Sequence, residues 1–567
     1  MASPVFFDFH LHPVFKKFIC KYEESYPSTR SLDELTGQFD LTSPLVKLLD
    51  EELLHILGSQ SCIDQLNEGK LTVGVAAIAP IERLFTNKAD GGMFGKILNS
   101  GLTKPLDLTY MNNVRDGNVS YYQLFIREVN IYKRLHEAGK IHMLTRQAPQ
   151  VLNSPAPIPH LALGLEGGHG LCRTLIGQPG KQDTSLTVPP GAEDSLSKDF
   201  TTAFTSNPAK SLQQVQQALW EQELDLCYLV LTHLSHIDEQ LLATHAYGMK
   251  MIKDVSSYPM GNGITLKGRQ VIDAAYTLEV TLNGTKTPAP VLIDIKHMSL
   301  KSRLDLYAYR KEKKYNLPLI ASHIGVTGYS VNAWKEALNE ASTMRLSSGE
   351  PVVTINVDRK TAGFWGFINK EFTYNAWSIN LMDEDIEAVL VSNGLIGISL
   401  DVRILGWQDL LSKGDKDEFM SAEEFRFFFP ERARQLVPPA VESQLKPTRE
   451  ERHPLALCFN ILHVVSVGLI RTDQKPWKQI CIGSDYDGLI NPVINCRDVS
   501  QLSVLEENLI RWLPVAERAY RKENGGGPLL DRQPNGEVEP AYLKGLVRDI
   551  LYTNGEQFMK RWLTNFQ

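Results

Sequence analysis

Eight short apolar runs recur along this 567-residue chain, separated by segments of helical patterning or by polar loops. The first is Val5–His12 (VFFDFHLH), followed by Leu71–Ala79, His160–Leu165, Cys227–Leu231 and Pro290–Ile295, then Leu317–Ala321, Leu395–Leu400 and Gln479–Ile482. Near-continuous apolar runs, rather than alternating ones, are the mark of parallel strands covered on both faces. Helical patterning lies between them. Ser211 reads as an N-cap before Leu212, Val215 and Leu219. Asp383–Leu390 opens with acidic residues, as a helix dipole favours. Eight strand–helix alternations predict an α/β fold, a (β/α)8 TIM barrel. An open doubly wound sheet fits less well, since no GxGxxG follows the first strand.

A plain barrel needs about 250 residues, so the chain reads as one barrel domain over 1–567 with long insertions. Turn-forming composition places these near Gln178–Lys210, Ile324–Trp377 and Trp407–Pro454, with a further loop at Glu523–Glu539. The second insertion carries Trp334, Trp365 and Trp377 and has three readings: a lid over the barrel mouth, a subunit contact in a homo-oligomer, or a plain surface excursion.

Composition narrows the class. At 43% hydrophobic and 22% charged residues the chain is ordinary for a globular protein. A net charge of −7 and pI near 6.1 speak against a nucleic-acid partner. No uninterrupted apolar run reaches the length of a membrane span, and the start lacks the basic flank of a signal peptide. Seven cysteines without CxxC spacing predict free thiols and a cytoplasmic setting.

The chemistry sits at the strand ends. His10-x-His12 closes the first run, and residues two apart on a strand point to one side, so both imidazoles suit a transition metal. The third run continues into Glu166-Gly167-Gly168-His169, the fourth into Thr232-His233, the fifth into Lys296-His297 and the sixth into Ser322-His323. The eighth continues into Ser484-Asp485-Tyr486-Asp487-Gly488. A barrel of this kind builds its active site where its strands end. One such histidine is an ordinary hydrogen-bonded residue; this many together predict a site.

These segments, FFDFHLHP, LEGGHGL, YLVLTHLSH, IDIKHMS, LIASH and CIGSDYDGL among them, resemble the membrane dipeptidase (renal dipeptidase) family of metallopeptidases in the amidohydrolase superfamily. They occur in the family's order over essentially the whole chain. The resemblance implies two divalent metal ions, usually zinc, and cleavage of dipeptides by a water activated between them. It implies that His10 and His12 bind one ion, that His297 and His323 bind the other, and that Glu166 bridges. His233 would steady the oxyanion, and Asp485 would carry the proton. Asp8 and Asp487 are candidates to orient ligands from behind. His169, His236 and Lys296 read as structural, Lys296 because it should face away from its neighbour His297. No lysine ends the third or fourth strand, so a carbamylated-lysine bridge is not expected.

Two departures stand out. The family has His-x-Asp where this chain has His12. The family also carries a carboxylate-binding arginine just before the asparagine that corresponds to Asn380, where Ser378-Ile379 stand here. Arg403 is the candidate replacement, with Arg345, Arg359 and Lys360 as alternatives. The expected partner is a small molecule, a dipeptide or small amide. Two other readings stay open: an amidohydrolase for a small amide, cyclic amide or lactone without a free carboxylate, and a catalytically inactive barrel serving as a binding module.

Overall fold

The computed structural model describes residues 5–20, 31–38, 58–86, 107–153, 158–178, 181, 207–237, 242–248, 254–346, 351–365, 370–406, 417–432, 452–488, 490–534 and 536–566. Eight strands pair in parallel in chain order: β1 (Phe6–Leu11), β2 (Leu71–Ile78), β3 (His160–Glu166), β4 (Leu226–Val230), β5 (Leu292–Asp294), β6 (Ile320–Ile324), β7 (Leu395–Ile398) and β8 (Ile480–Ile482). β8 returns to β1 through its end. Asp485 N donates to His10 O and His12 N donates to Tyr486 O, both at 2.9 Å. The sheet is a (β/α)8 barrel, and each strand falls on one of the eight apolar runs.

Boundaries differ from the sequence reading where proline or a cap intervenes. β6 begins at Ile320, after Pro318, and carries Ser322 and His323 inside the strand. Proline has no N–H to give to the ladder, which delays the pairing. The helix expected to start at Ser211 spans Pro208–Glu221. Asn207 caps it by accepting from Ala209 N and Lys210 N, and Pro208 fills the first turn.

Helices between the strands pack leucine and valine onto the outward strand residues. Leu163, Leu165, Ile396 and Ile398 share a buried cluster with Leu219, Val271, Val389 and Leu462. The helix Arg452–Thr472 belongs to this layer. It is long and apolar enough to cross a membrane, and 83% of its most apolar window is buried in the protein. The N-terminal end of the barrel is plugged by Phe9, Val73, Leu292, Ile320 and Leu395, closed by Phe558 and Trp562 of the final helix, Asn554–Leu563. All seven cysteines are buried, and none is in a disulfide.

Two insertions predicted separately form one structure. Strands Leu338–Arg345 and Pro351–Val357 come from one, Asp417–Ser421 comes from the other, and the three pair antiparallel. Trp334 is fully buried in the core beneath them with Val353, Ile355, Met420 and Phe425. Its indole donates to Ala376 O at 2.8 Å, so this tryptophan is a core residue rather than a flap. Glu418 accepts from Ser378 N, and Glu424 accepts from Ser299 Oγ, which fasten the sheet to the loops after β6 and β5. Most of the 178–210 insertion lies outside the described residues. The 523–539 stretch is a loop after the helix Leu502–Asn524 ends.

Candidate metal centre

Side chains from β1, β3, β4, β5, β6 and β8 converge at the C-terminal mouth of the barrel. Alternation along β1 brings His10 and His12 together, with their Nε2 atoms 3.1 Å apart. Glu166, the last residue of β3, lies between the histidine sets. Its Oε2 is 3.3 Å from His12 Nε2, and its Oε1 is 3.0 Å from His297 Nε2 and 3.3 Å from His323 Nε2. Asp485 Oδ1 lies 3.4 Å from His12 Nε2, and His233 Nε2 lies 3.7 Å from Glu166 Oε1. Three overlapping groups have donor atoms close enough for an ion: His10–Glu166–His323, His10–His12–Asp485 and Glu166–His233–His297.

What lies behind the imidazoles fixes their aim. Tyr228 OH is 2.7 Å from His10 Nδ1, and Ala77 O is 2.9 Å from His12 Nδ1. Ser322 Oγ is 2.8 Å from His323 Nδ1. Each contact holds the far nitrogen away from the centre and turns Nε2 inward, as metal-binding histidines require. Gly164 makes room for the tyrosine, since a Cβ there would sit 2.4 Å from the Tyr228 ring.

The site separates by exposure. The side chains of His10, His12, Glu166, His297 and His323 are 7% exposed or less, whereas Asp485 and His233 reach 17% and 13%. These two therefore face a cleft open to solvent.

Electrostatics divides the imidazoles, with His297 and His323 held toward the neutral form and His12 toward the protonated one. Burial holds the His297 and His323 imidazoles well below their usual range, which leaves lone pairs free. Burial alone would raise Glu166, but His10 and His233 pull its carboxyl well below the usual range. For His12 burial pulls down, yet its hydrogen bond to Asp485 and the Glu166 charge raise it to about 9. Burial, joined by the charge of Glu166, pushes Asp485 up. Four imidazoles and the Glu166 carboxylate, buried and convergent, are donors of the kind that hold divalent metal.

Other candidates sit at one remove. Asp8 Oδ1 accepts from His10 N at 3.1 Å and Ser484 N at 2.9 Å, joining β1 to the end of β8. Asp487 turns away from the centre: it accepts from Gln60 N, Ser61 N and Ser61 Oγ and pairs with Lys16 at 2.8 Å. Arg403 lines the cleft, but its guanidinium pairs with Asp401, Nη2 to Oδ2 at 2.6 Å. Arg359 and Lys360 donate to Gly406 O and Gly328 O and are not among the lining residues. His169 bonds to Pro80 O at 2.9 Å, and His236 N bonds to Ser256 O.

Ile379 is part of the cleft wall, so an apolar side chain stands where the resemblance expects an arginine. Arg303, fully buried, donates to Ser378 O and Asn380 O and holds that segment in place.

The sequence reading missed two residues and misdirected a third. Glu82, four residues beyond β2, is buried against His233 Nδ1 and also accepts from Leu234 N and Ser235 Oγ. Burial would raise its carboxyl, but the His233 charge and hydrogen bond bring it down to about 2. A glutamate shortly after an apolar run was the only signal available in the sequence. Asp401 lines the cleft beside Arg403. Lys296 lines it too, against the expectation that it faces away from His297. The reason is backbone: β5 stops at Asp294 and His297 takes φ +63°, so the two-residue alternation no longer applies.

Fold and site thus define an α/β barrel whose mouth holds a buried histidine–carboxylate centre under an open cleft. No family model and no curated protein matches the chain. Among solved structures, a metallo peptidase from Rhodobacter sphaeroides liganded with a phosphinate mimic of the dipeptide L-Ala-D-Ala is similar at 12% identity and TM-score 0.43, with 99% of each chain covered. A structure described as a dipeptidase and metallo peptidase is similar at 12% identity and TM-score 0.41, again over 99% of each chain. An amidohydrolase from Pseudomonas aeruginosa is similar at 9% identity and TM-score 0.38, over 88% of this chain and 91% of its own.

Proposed function

We propose that the protein is a metal-dependent hydrolase that cleaves the amide bond of small substrates, dipeptides first, at a two-ion centre. The observation that carries this is the division by exposure: five buried donors converge on one point, and two accessible groups, Asp485 and His233, face the cleft beside them. His10 and His12 would hold one ion and His297 and His323 the other. Glu166, with one oxygen toward His12 and the other toward His297 and His323, would bridge. Bound divalent ions, zinc by donor type, would supply Lewis acidity toward the carbonyl and the attacking water.

The chain's own residues do the rest. Asp485 takes the proton from water as its oxygen bonds to the carbonyl carbon, then returns a proton to the amine as the C–N bond breaks. His233, fixed through Nδ1 by Glu82, presents Nε2 as donor to the oxyanion. The buried free thiols support a reducing compartment.

A second reading, hydrolysis of an amide that lacks a free carboxylate, is favoured by Ile379 in the cleft wall. An inert binding module would not need to keep every member of this donor set. Metal analysis together with a panel of dipeptides, N-acyl amino acids and cyclic amides tests the proposal. Dipeptide hydrolysis lost on chelation and restored by zinc is expected. Turnover only of carboxylate-free amides would establish the second reading instead, and a metal-free protein without hydrolysis would support the binding module.

A further inference from the structure

We infer that Lys296 is the anchor for the main-chain carboxylate of the substrate, an assignment that rests on the hydrolase reading of the same cleft. The turn at His297 places both residues at the cleft, although they are neighbours in sequence. Lys296 is only 2% exposed. Among the described residues nothing hydrogen-bonds or ion-pairs with its Nζ. Burial disfavours an ammonium left in this state, and an anion brought into the cleft would stabilise its charged form.

The carboxylates around it are Asp485, Glu166, Asp401 and Asp294. Each has closer partners. Asp401 is paired with Arg403 at 2.6 Å, Asp485 faces His12 at 3.4 Å, and Glu166 faces His297 at 3.0 Å. Asp294 Oδ1 accepts from the backbone N–H groups of Lys296 and Ser322. Arg403, the candidate from sequence, is committed to Asp401, whereas Lys296 is not committed to any of the four. Elsewhere the wall is apolar, with Phe15, Phe85, Leu234, Ile379 and Ile490. One ammonium among such walls, next to a metal ligand, selects a small substrate with its negative charge within one residue of the scissile bond.

The test compares metal-loaded wild type with Lys296→Met and Lys296→Gln, with metal content measured in each. Substrates are Ala-Leu, Ala-Leu amide and Ala-Glu amide. Calorimetric binding of N-acetyl-leucine and N-acetyl-leucinamide is followed in parallel. A charge-assisted hydrogen bond in a buried site is worth roughly tenfold or more in affinity. Both variants should therefore raise KM for Ala-Leu and weaken N-acetyl-leucine by at least that factor. Ala-Leu amide and N-acetyl-leucinamide, which lack the carboxylate, should change less than about twofold on the same reasoning.

Equal losses on acid and amide, or no loss on either, would overturn the assignment and leave Lys296 as a counter-charge to the carboxylates. A dependence on Lys296 confined to Ala-Glu amide would move the anchor to a side-chain carboxylate and likewise overturn it. Should wild type cleave no peptide while N-acetyl-leucine binding still depends on Lys296, the hydrolase reading falls and the anchor stands. Should wild type bind neither probe, the anchor falls.

Discussion

The hydroxyl of Tyr228 stands 2.7 Å from Nδ1 of His10, deep in the barrel and behind the metal centre. A neutral His10 that ligates through Nε2 carries its proton on Nδ1, and the tyrosine oxygen is placed to accept it. Tyr228→Phe keeps the ring and removes the acceptor. Metal affinity should fall about 10–100-fold, as for other partners behind a ligand. Competition with a chromophoric chelator measures this, and unchanged affinity would show that Ser322 Oγ, 3.1 Å from the same nitrogen, suffices.

Asp485→Asn should remove nearly all turnover while metal content stays at the wild-type level. Asp485 is the most exposed member of the centre and stands outside the five buried donors proposed to hold metal. Steady-state kinetics beside elemental analysis decides the point. A variant that loses its metal would make Asp485 a structural ligand and exclude the proton-carrier role.

Glu424 gives a pH signature away from the centre. Its carboxyl is 1% exposed, and burial raises it to about 7. The folded state therefore binds the proton more tightly than the unfolded chain, whose glutamates titrate near 4.3. Stability should fall as pH rises from the unfolded value through about 7, then level off. Glu424→Gln keeps an acceptor for Ser299 Oγ and Gly263 N and should flatten that slope. The gain at pH 8 is on the order of 3–4 kcal/mol. Denaturant titrations at pH 5 and pH 8 read it directly, and parallel losses in both proteins would contradict it.

Arg303 and Asp385 are both fully buried and meet at 2.8 Å. Arg303 also donates to Met298 O, Ser378 O and Asn380 O, so it joins the loop after β5 to the segment carrying Ile379. Arg303→Met leaves Asp385 buried without its counter-charge, which costs about 3–5 kcal/mol. Thermal unfolding should show a clear drop in Tm, and the double variant Arg303→Met/Asp385→Leu should recover much of it. An unchanged Tm in the single variant would mean that water reaches Asp385.

The eight strands were legible because strands covered on both faces need unbroken apolar runs, and few other elements of this length do. Their ends were legible for the same reason: His10, His12, Glu166, His233, His297, His323 and Asp485 each close or follow such a run. Glu82 escaped notice because it lies four residues past its strand, and no local pattern ties it to His233. The joining of two insertions into one sheet was equally hidden, since β pairing between Pro351–Val357 and Asp417–Ser421 is a long-range choice.

By itself the sequence determined the barrel, the strand ends and the types of donor delivered to its mouth, since periodicity and apolar burial are local properties. Only the tertiary structure decided which groups share the cleft. The left-handed backbone at His297 turned Lys296 into it, Asp401 took up Arg403, and Ile379 came to stand in the wall. Those outcomes depend on backbone turns and on competition among charges distant in sequence, which no single segment encodes.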